Sequence, residues 1–429
     1  MLKFLKGFVG SGAVTFFNAL RALSINKLLA VFLPPAAFAC VGQFLNIMTI
    51  GQATSSLAMQ NGWTSLTAKY KGNEKELLGI WRGGLRVTTF ASIFTFIGLI
   101  LFSFLAPLNT LFPDNDLFRT VSGSIPVNKL QIALLFALPG IFATNVITII
   151  SSALVGLGET RKWAIVNILT SLWQILWVAF FLYTGKMGFL SVIATQSIFA
   201  AVIAAIITSR TRFRLKQIWS TAKDTRKPWM SYALMGIVPM ILSPIVLTII
   251  RSGVDVRFGH DAAGIWQSVW KFSDFIFMVM SAVLTVTLLP KISAAKSKDE
   301  FNRTFFPKFL FVLGFSLVMI AVLFFGRGFF VPLLFSKAYL GAADYMQWQL
   351  VGDFFRTGGF ALALVLIARS ETKKFIGVEI LGEVLLAGGS IVAMKYLEFN
   401  GPMVAYAAEN VLYFLVTFFL VWRLKWNTP

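Results

Sequence analysis

WQLVGDFFRTGGFALALVLIARS, residues 348–370, is the stretch whose reading decides the fold. Apart from Gln349, Asp353 and Arg356 it is apolar or small as far as Ala368. Extended back to residue 342, the run is long enough to cross a hydrocarbon core of about 30 Å as a helix. It lacks the apolar-out, polar-in alternation of a barrel strand, so the helical reading stands. Charge is costly in hydrocarbon and marks a purpose, so Asp353 and Arg356 open the question of function as well as that of fold.

Runs of this kind recur along the whole chain. About twelve are read as spans, near 8–31, 35–59, 86–111, 129–156, 162–183, 187–209, 230–252, 262–290, 306–334, 342–368, 374–395 and 402–424. With 57% hydrophobic and 13% charged residues, the 429-residue chain cannot fold as an ordinary soluble domain. The expected fold is an all-α integral membrane protein. Lys3 and Lys6 ahead of an apolar stretch imitate a secretory signal, but that stretch continues into Leu28–Val31 and is read as the first span.

Basic residues fall in alternate loops: Lys3 and Lys6, the cluster Lys69–Arg86, Arg161 and Lys162, Arg210–Lys227, Lys291–Lys308, Arg369 with Lys373 and Lys374, and Arg423 with Lys425. The opposite loops are poor in cations, and some are acidic, as at Asp114, Asp116, Asp255 and Asp261. Short basic segments resist translocation, so the basic set faces the cytoplasm and both termini are expected there. The net charge of +20 is thereby assigned to topology and to anionic membrane lipids, and no nucleic-acid partner is expected. A single cysteine, Cys40, allows no internal disulfide, and a single histidine, His260, cannot supply a zinc site. No Walker loop or His-Glu-x-x-His helix is present, so no metal or cofactor chemistry is expected.

RTRFRLKQIWSTAKDTRKPW, residues 210–229, is the longest polar interruption and falls near the middle. It divides the chain into an N-terminal lobe at 1–209, a basic cytoplasmic linker at 210–229 and a C-terminal lobe at 230–429. A weak internal echo supports duplication. NKLLAVFLPPAAFACVGQF from Asn26 can be laid on RSGVDVRFGHDAAGIWQSV from Arg251, each passing through a Phe to an Ala-Ala pair that opens the next span. Two six-helix lobes of the same orientation would be related by an axis along the membrane normal, with a central cavity between them.

GIWQSVWKFSDF at 264–275, LLPKIS at 288–293 and above all WQLVGDFFRTGGFALALVLIARS resemble the Wzx flippases of the multidrug/oligosaccharidyl-lipid/polysaccharide (MOP) exporter superfamily. NKLLAV at 26–31 extends the likeness into the first half, and WQLVGD is most similar to the branch that handles lipid III of enterobacterial common antigen. The resemblance implies movement of undecaprenyl-diphosphate-linked oligosaccharide, of common antigen or O-antigen type, from the cytoplasmic to the periplasmic leaflet of the bacterial inner membrane. It also implies a polysaccharide polymerase and a chain-length regulator as partners. Arg251, Asp274, Asp353, a basic residue at 356 and Glu379 follow the family pattern, whereas Lys271 and Arg21 depart from it and become candidates for substrate tuning.

Nine ionisable side chains lie inside the apolar runs: Arg21 in the first half, and Arg251, Lys271, Asp274, Asp353, Arg356, Glu379, Glu383 and Glu409 in the second. A lipid-linked diphosphate needs fixed donors in place of water, and the planar fork of Arg suits phosphate oxygens. Arg21, Arg251, Lys271 and Arg356 are the candidates for substrate binding. Lys271/Asp274 and Asp353/Arg356 lie three apart and Glu379/Glu383 four apart, so each pair shares a helix face. The competing reading makes the first two pairs neutralised struts that never meet substrate. For Arg251 the competing reading is snorkelling at the outer interface. Glu379, Glu383 and Glu409 have no basic partner in their own spans. Either a cation on another helix neutralises them, or they carry protons in an antiport cycle.

Pro239 and Pro244 in the seventh span and Pro139-Gly140 in the fourth are candidate kinks. Trp163, Trp173, Trp177, Trp266, Trp270, Trp348 and Trp422 include interfacial belt residues, with sugar stacking as the alternative for Trp266, Trp270 and Trp348. Two rival functions remain. A multidrug or cation antiporter of the same superfamily would need a net acidic cavity, against which the four cations speak. A polytopic polymerase or glycosyltransferase would carry a large outer loop, and the first one here, AVFLPPAAF, is short and without acid.

Overall fold

The computed structural model describes residues 2–105, 127–185, 187–208, 227–287, 292, 297–369 and 371–424. Among them every regular element is helical. In hydrocarbon each backbone donor and acceptor must be satisfied within the protein, which a helix does within one segment. The long helices are α1 (Leu2–Phe32), α2 (Pro35–Ser56), α4 (Glu74–Leu105), α5 (Val127–Leu157), α6 (Thr160–Thr184), α7 (Phe189–Thr208) and α8 (Lys227–Phe258). They continue with α9 (His260–Thr287), α10 (Lys298–Phe325), α12 (Met346–Ala368), α13 (Thr372–Tyr396) and α14 (Gly401–Trp422). Two short helices, α3 (Gln60–Tyr70) and α11 (Arg327–Leu334), and a 3-10 segment, Lys337–Tyr345, lie between them. Among the described residues ten helical stretches are long and apolar enough to cross a membrane. The two long helices outside that set, α1 and α9, carry Arg21 with Lys27 and Lys271 with Asp274.

The expected second span, 35–59, ends three residues early. Leu57 and Ala58 both adopt left-handed backbone, with φ of 49° each, which is rare for residues with a Cβ. Ser56 Oγ accepts from the Ala58 amide at 3.3 Å, and Gly236 packs where a Cβ would stand 2.6 Å from the Ala58 carbonyl oxygen. The linker as far as residue 226, Asp114 and Asp116, Lys425 and most of LLPKIS at 288–293 lie outside the described residues.

Packing divides the chain into two compact units, Met1–Phe32 with Cys40–Pro244 and Leu33–Ala39 with Ile245–Pro429. Unit 1 packs α1 on α6, α5 on α7 and α6 on α7. One of its apolar cores gathers Met59, Trp63, Trp81 and Trp229. The first turns of α8 belong to it because Trp229 lies 4.7 Å from Trp63 and donates its indole N–H to the Ile80 carbonyl at 3.2 Å. α8 is a single helix with Pro239 and Pro244 inside it, and the unit boundary falls at Pro244.

Unit 2 packs α12 against α14, α9 and α10, and α13 against α14. Glycines bring α12 and α14 close: Gly352 faces Tyr406, Gly358 faces Phe414, and a Cβ on Gly359 would stand 2.6 Å from the Tyr413 ring. Small residues at a helix interface are how membrane helices gain packing where lipid gives no hydrophobic drive. The segment Leu33–Ala39 completes this unit. The Tyr339 hydroxyl donates to the Leu33 carbonyl at 3.2 Å, Phe38 stands edge-on to Phe335 and Tyr339, and Gly264 has no room for a side chain against the Pro35 carbonyl.

Candidate functional site

The sequence-selected charges separate into two settings, one in each unit. In unit 1, Asn18 and Arg21 lie three apart on α1, and Ser171 and Gln174 three apart on α6, so each pair forms a face. The faces meet: Ser171 Oγ donates to Asn18 Oδ1 at 3.2 Å and Arg21 Nη1 donates to Gln174 Oε1 at 2.8 Å. Gln174 passes its amide N–H to Ser197 Oγ on α7 at 3.1 Å. Every partner is neutral. The carboxylates among the described residues of this unit, Glu74, Glu76 and Glu159, stand at helix starts. Arg21 is half-buried, and among the described residues its one hydrogen-bond partner is Gln174, so most of its five N–H donors are left for something else.

In unit 2 the charges converge. Asp353 is 1% exposed and accepts two hydrogen bonds, from Ser273 Oγ at 2.9 Å and from the Tyr406 hydroxyl at 2.8 Å. Gln349 Nε2 donates in turn to Ser273 Oγ at 2.8 Å. Arg356 Nη1 donates to the Tyr406 oxygen at 3.4 Å, and its guanidinium lies 4.0 Å from the Phe277 ring centre. Asp353 and Arg356 are therefore joined through Tyr406 rather than as a direct ion pair. The charge of Arg356 also reaches Asp274, Glu379 and Glu409. The Tyr413 hydroxyl donates to Glu379 Oε1 at 2.6 Å, and Glu409 lies within electrostatic reach of Glu379 and Glu383. Lys271 and Asp274 form an ion pair at 2.9 Å.

A cation from another helix, Arg356 on α12, stands within electrostatic reach of Glu379 and Glu409. Five carboxylates, Asp274, Asp353, Glu379, Glu383 and Glu409, gather with two of the four proposed phosphate ligands, Arg356 and Lys271. Lys271 is ion-paired to Asp274, whereas Arg356 touches Tyr406 and Phe277 with the acids around it.

Arg251 is 2% exposed, so snorkelling does not describe it. Its Nε donates to Gln267 Oε1 at 3.0 Å, Nη2 reaches the same oxygen, and the guanidinium stands 5.5 Å from the Trp266 ring centre. Trp266 and Trp270 are 1% and 5% exposed, tilted on each other at 5.7 Å, and Trp270 meets Tyr406 edge-on. They are core residues, neither belt nor sugar platform, because α9 turns them toward Arg251 and Tyr406. Trp348 keeps a large exposed surface.

Sequence reasoning missed Tyr406 and Tyr413, the hydroxyls that tie the acids together, and the neutral partners Gln174, Ser197, Gln267 and Ser273. A signal existed: Tyr406, Glu409 and Tyr413 stand at three- and four-residue spacing on one face of α14.

No family model matches the chain. Lipid III flippases of Escherichia coli (strain K12) and Shigella flexneri are each 24% identical to it, over 97% of this chain and 98% of the relative. Among solved structures, a multidrug resistance MATE family transporter of the MOP superfamily in its inward-facing conformation has a TM-score of 0.71 at 16% identity, covering 97% of this chain and 96% of that one. A MOP superfamily transporter from Pyrococcus furiosus, whose binding pocket of reverse polarity suggests a different function, has a TM-score of 0.65 at 14% identity over 97% and 95%. The chain is a multi-pass membrane protein that shares the fold of the MOP superfamily transporters and is similar, along nearly all its length, to the lipid III flippases.

Proposed function

We propose that the protein is a flippase for undecaprenyl-diphosphate-linked oligosaccharide, of lipid III or O-antigen type. It moves this substrate from the cytoplasmic to the periplasmic leaflet of the bacterial inner membrane by alternating access. Both termini face the cytoplasm, and the presence of two compact units supports a two-lobe arrangement. Full-length similarity to lipid III flippases supports the substrate class. The single structural observation that carries an anionic substrate is Arg21: a half-buried guanidinium among neutral amides and hydroxyls, in a unit whose described acids stand only at helix starts. An isolated cation in that setting is costly unless an anion visits it, and a diphosphate supplies one. Arg251 is the second candidate ligand.

The test is translocation of the lipid-linked oligosaccharide in proteoliposomes. Arg21→Gln is expected to lower it by roughly ten- to a hundredfold, the worth of one or two charge-assisted hydrogen bonds, with folding intact and partial rescue by Arg21→Lys. A folded wild type that flips none of several lipid-linked sugars would overturn the proposal.

The acid-rich cluster of unit 2 favours a second role beside the first, cation or proton coupling. Glu379, held by Tyr413, is the residue to test. Glu379→Gln is expected to uncouple transport from an imposed pH gradient; unchanged dependence on that gradient would assign the cluster to structure alone.

A further inference from the structure

We infer that unit 2 carries a binding site for an acidic phospholipid of the surrounding leaflet, in a cleft between α10 and α14 that plays no part in the transport reading above. The cleft is open, with about 440 Å³ of empty space when the space at its mouth is included, and is lined by Lys298, Phe301, Phe305, Leu362, Phe418 and Trp422, among others.

Its walls are two columns of rings at four-residue spacing. On α10, Phe301 stacks on Phe305 at 4.9 Å and 15°, and Phe305 on Phe309 at 5.2 Å and 18°. On α14, Phe414 stacks on Phe418 at 6.3 Å, and Phe418 on Trp422 at 6.1 Å. The columns join at Phe309 and Phe414, whose rings lie 6.5 Å apart and nearly parallel, and the cleft lies at their other ends, beside Lys298 and Trp422. Phe301 and Phe305 are buried, whereas Phe418 and Trp422 are exposed, so one wall belongs to the core and the other faces outward.

The mouth is cationic. Lys298 Nζ stands 5.5 Å from the Trp422 ring centre, and Arg423, the next residue, lies over Phe419. The first turn of α10 also holds Asp299 and Glu300, but of these charges only Lys298 lines the cleft. Asn302 adds a neutral donor.

An apolar slot beneath a small cationic mouth matches an amphiphile with one negative headgroup and a hydrocarbon tail. Length argues for a phospholipid over a polyprenyl chain. The lining residues of α10, Lys298 to Phe306, span about 12 Å of helix, which seats the upper half of an acyl chain and falls far short of a long polyprenyl tail. By the basic-loop rule this end of the chain faces the cytoplasm, so the lipid is one of the cytoplasmic leaflet.

Brominated lipids test this in the full-length protein, because a bromine on the acyl chain quenches a nearby indole. Trp422 is one of 12 tryptophans, and Trp422→Phe defines its share of the emission. In vesicles of phosphatidylcholine carrying a few mole per cent of brominated phosphatidylglycerol, the Trp422 component is expected to be quenched several-fold more than by the same fraction of brominated phosphatidylcholine. Lys298→Gln, a change at an exposed side chain, is expected to erase that difference, and Arg423→Gln to reduce it. Equal quenching by the two lipids, or a preference that survives both substitutions, would reduce the cleft to ordinary annular contact. Full displacement of the brominated phosphatidylglycerol by equimolar undecaprenyl phosphate would overturn the phospholipid assignment in favour of the prenyl chain.

Discussion

Arg356 is the cation on which unit 2 depends electrostatically, since Asp274, Asp353, Glu379 and Glu409 all lie within its reach. Removing one partner from a buried ionic network leaves the others uncompensated, at a cost of about 3 kcal/mol or more. Arg356→Ala is therefore expected to lower the melting temperature in detergent sharply, with Asp353→Asn in the same chain restoring part of the loss. If Arg356→Ala melts like wild type, the cluster is not a strut. Arg21 should behave in the opposite way. Its neutral partners can close on themselves or on water, so Arg21→Gln should leave the melting temperature within a degree or two while transport falls. The acids and Arg356 were legible in the sequence because charge inside an apolar run stands out and three- and four-residue spacing sets them on common faces. Tyr406 and Tyr413 were not, since a tyrosine in such a run looks like packing until its hydroxyl is seen on Asp353 or Glu379. The acids that surround Lys271 and Arg356 were not legible either, because the sequence does not show which carboxylates of other helices reach them.

Hydropathy gives the approximate limits of most long helices, since each apolar run has one way to satisfy its backbone in lipid, and among the described residues α1 and α9 fall short of it. It does not fix where a helix breaks at no breaker. The break at Leu57 and Ala58 contains neither glycine nor proline; the Ser56 hydroxyl on the Ala58 amide and the packing of Gly236 against Ala58 hold it. Conversely, Pro139 sits inside α5 without ending it. The next residue, Gly140, lets α5 approach α7 so closely that a Cβ would collide with the Ala194 carbonyl oxygen. Backbone cannot swing aside as a side chain can, so Gly140→Ala should reduce folded yield and melting temperature clearly. The same change at Gly98, whose Cβ would meet nothing within 4 Å, should be tolerated. Equal behaviour of the two variants in fluorescence-detected size-exclusion chromatography would refute the close approach.

Over the whole molecule, the alternation of basic and acidic loops predicts orientation. Fusions of a fluorescent protein after residue 208 or at the C-terminus should be bright, and alkaline phosphatase inserted near Asp114 should be active; the reverse pattern would invert the protein in the membrane. The basic stretch at 210–229 suggests a division into halves, whereas packing divides the chain at Pro244, and the ownership of two segments was not legible. Trp229 and the first half of α8 pack with unit 1, and Leu33–Ala39 packs with unit 2. Such exchanges rest on single side chains, Trp229 on Trp63 and Tyr339 on Leu33, which hydropathy cannot see. They also set a timetable for biogenesis. When the ribosome has finished α7, the pocket for Trp229 beside Trp63 and Ile80 is still empty, and unit 1 waits for residues beyond the linker. A chain stopped at 208 should therefore be degraded faster than one stopped at 258. Unit 2, for its part, closes on a segment that left the ribosome some three hundred residues before Tyr339.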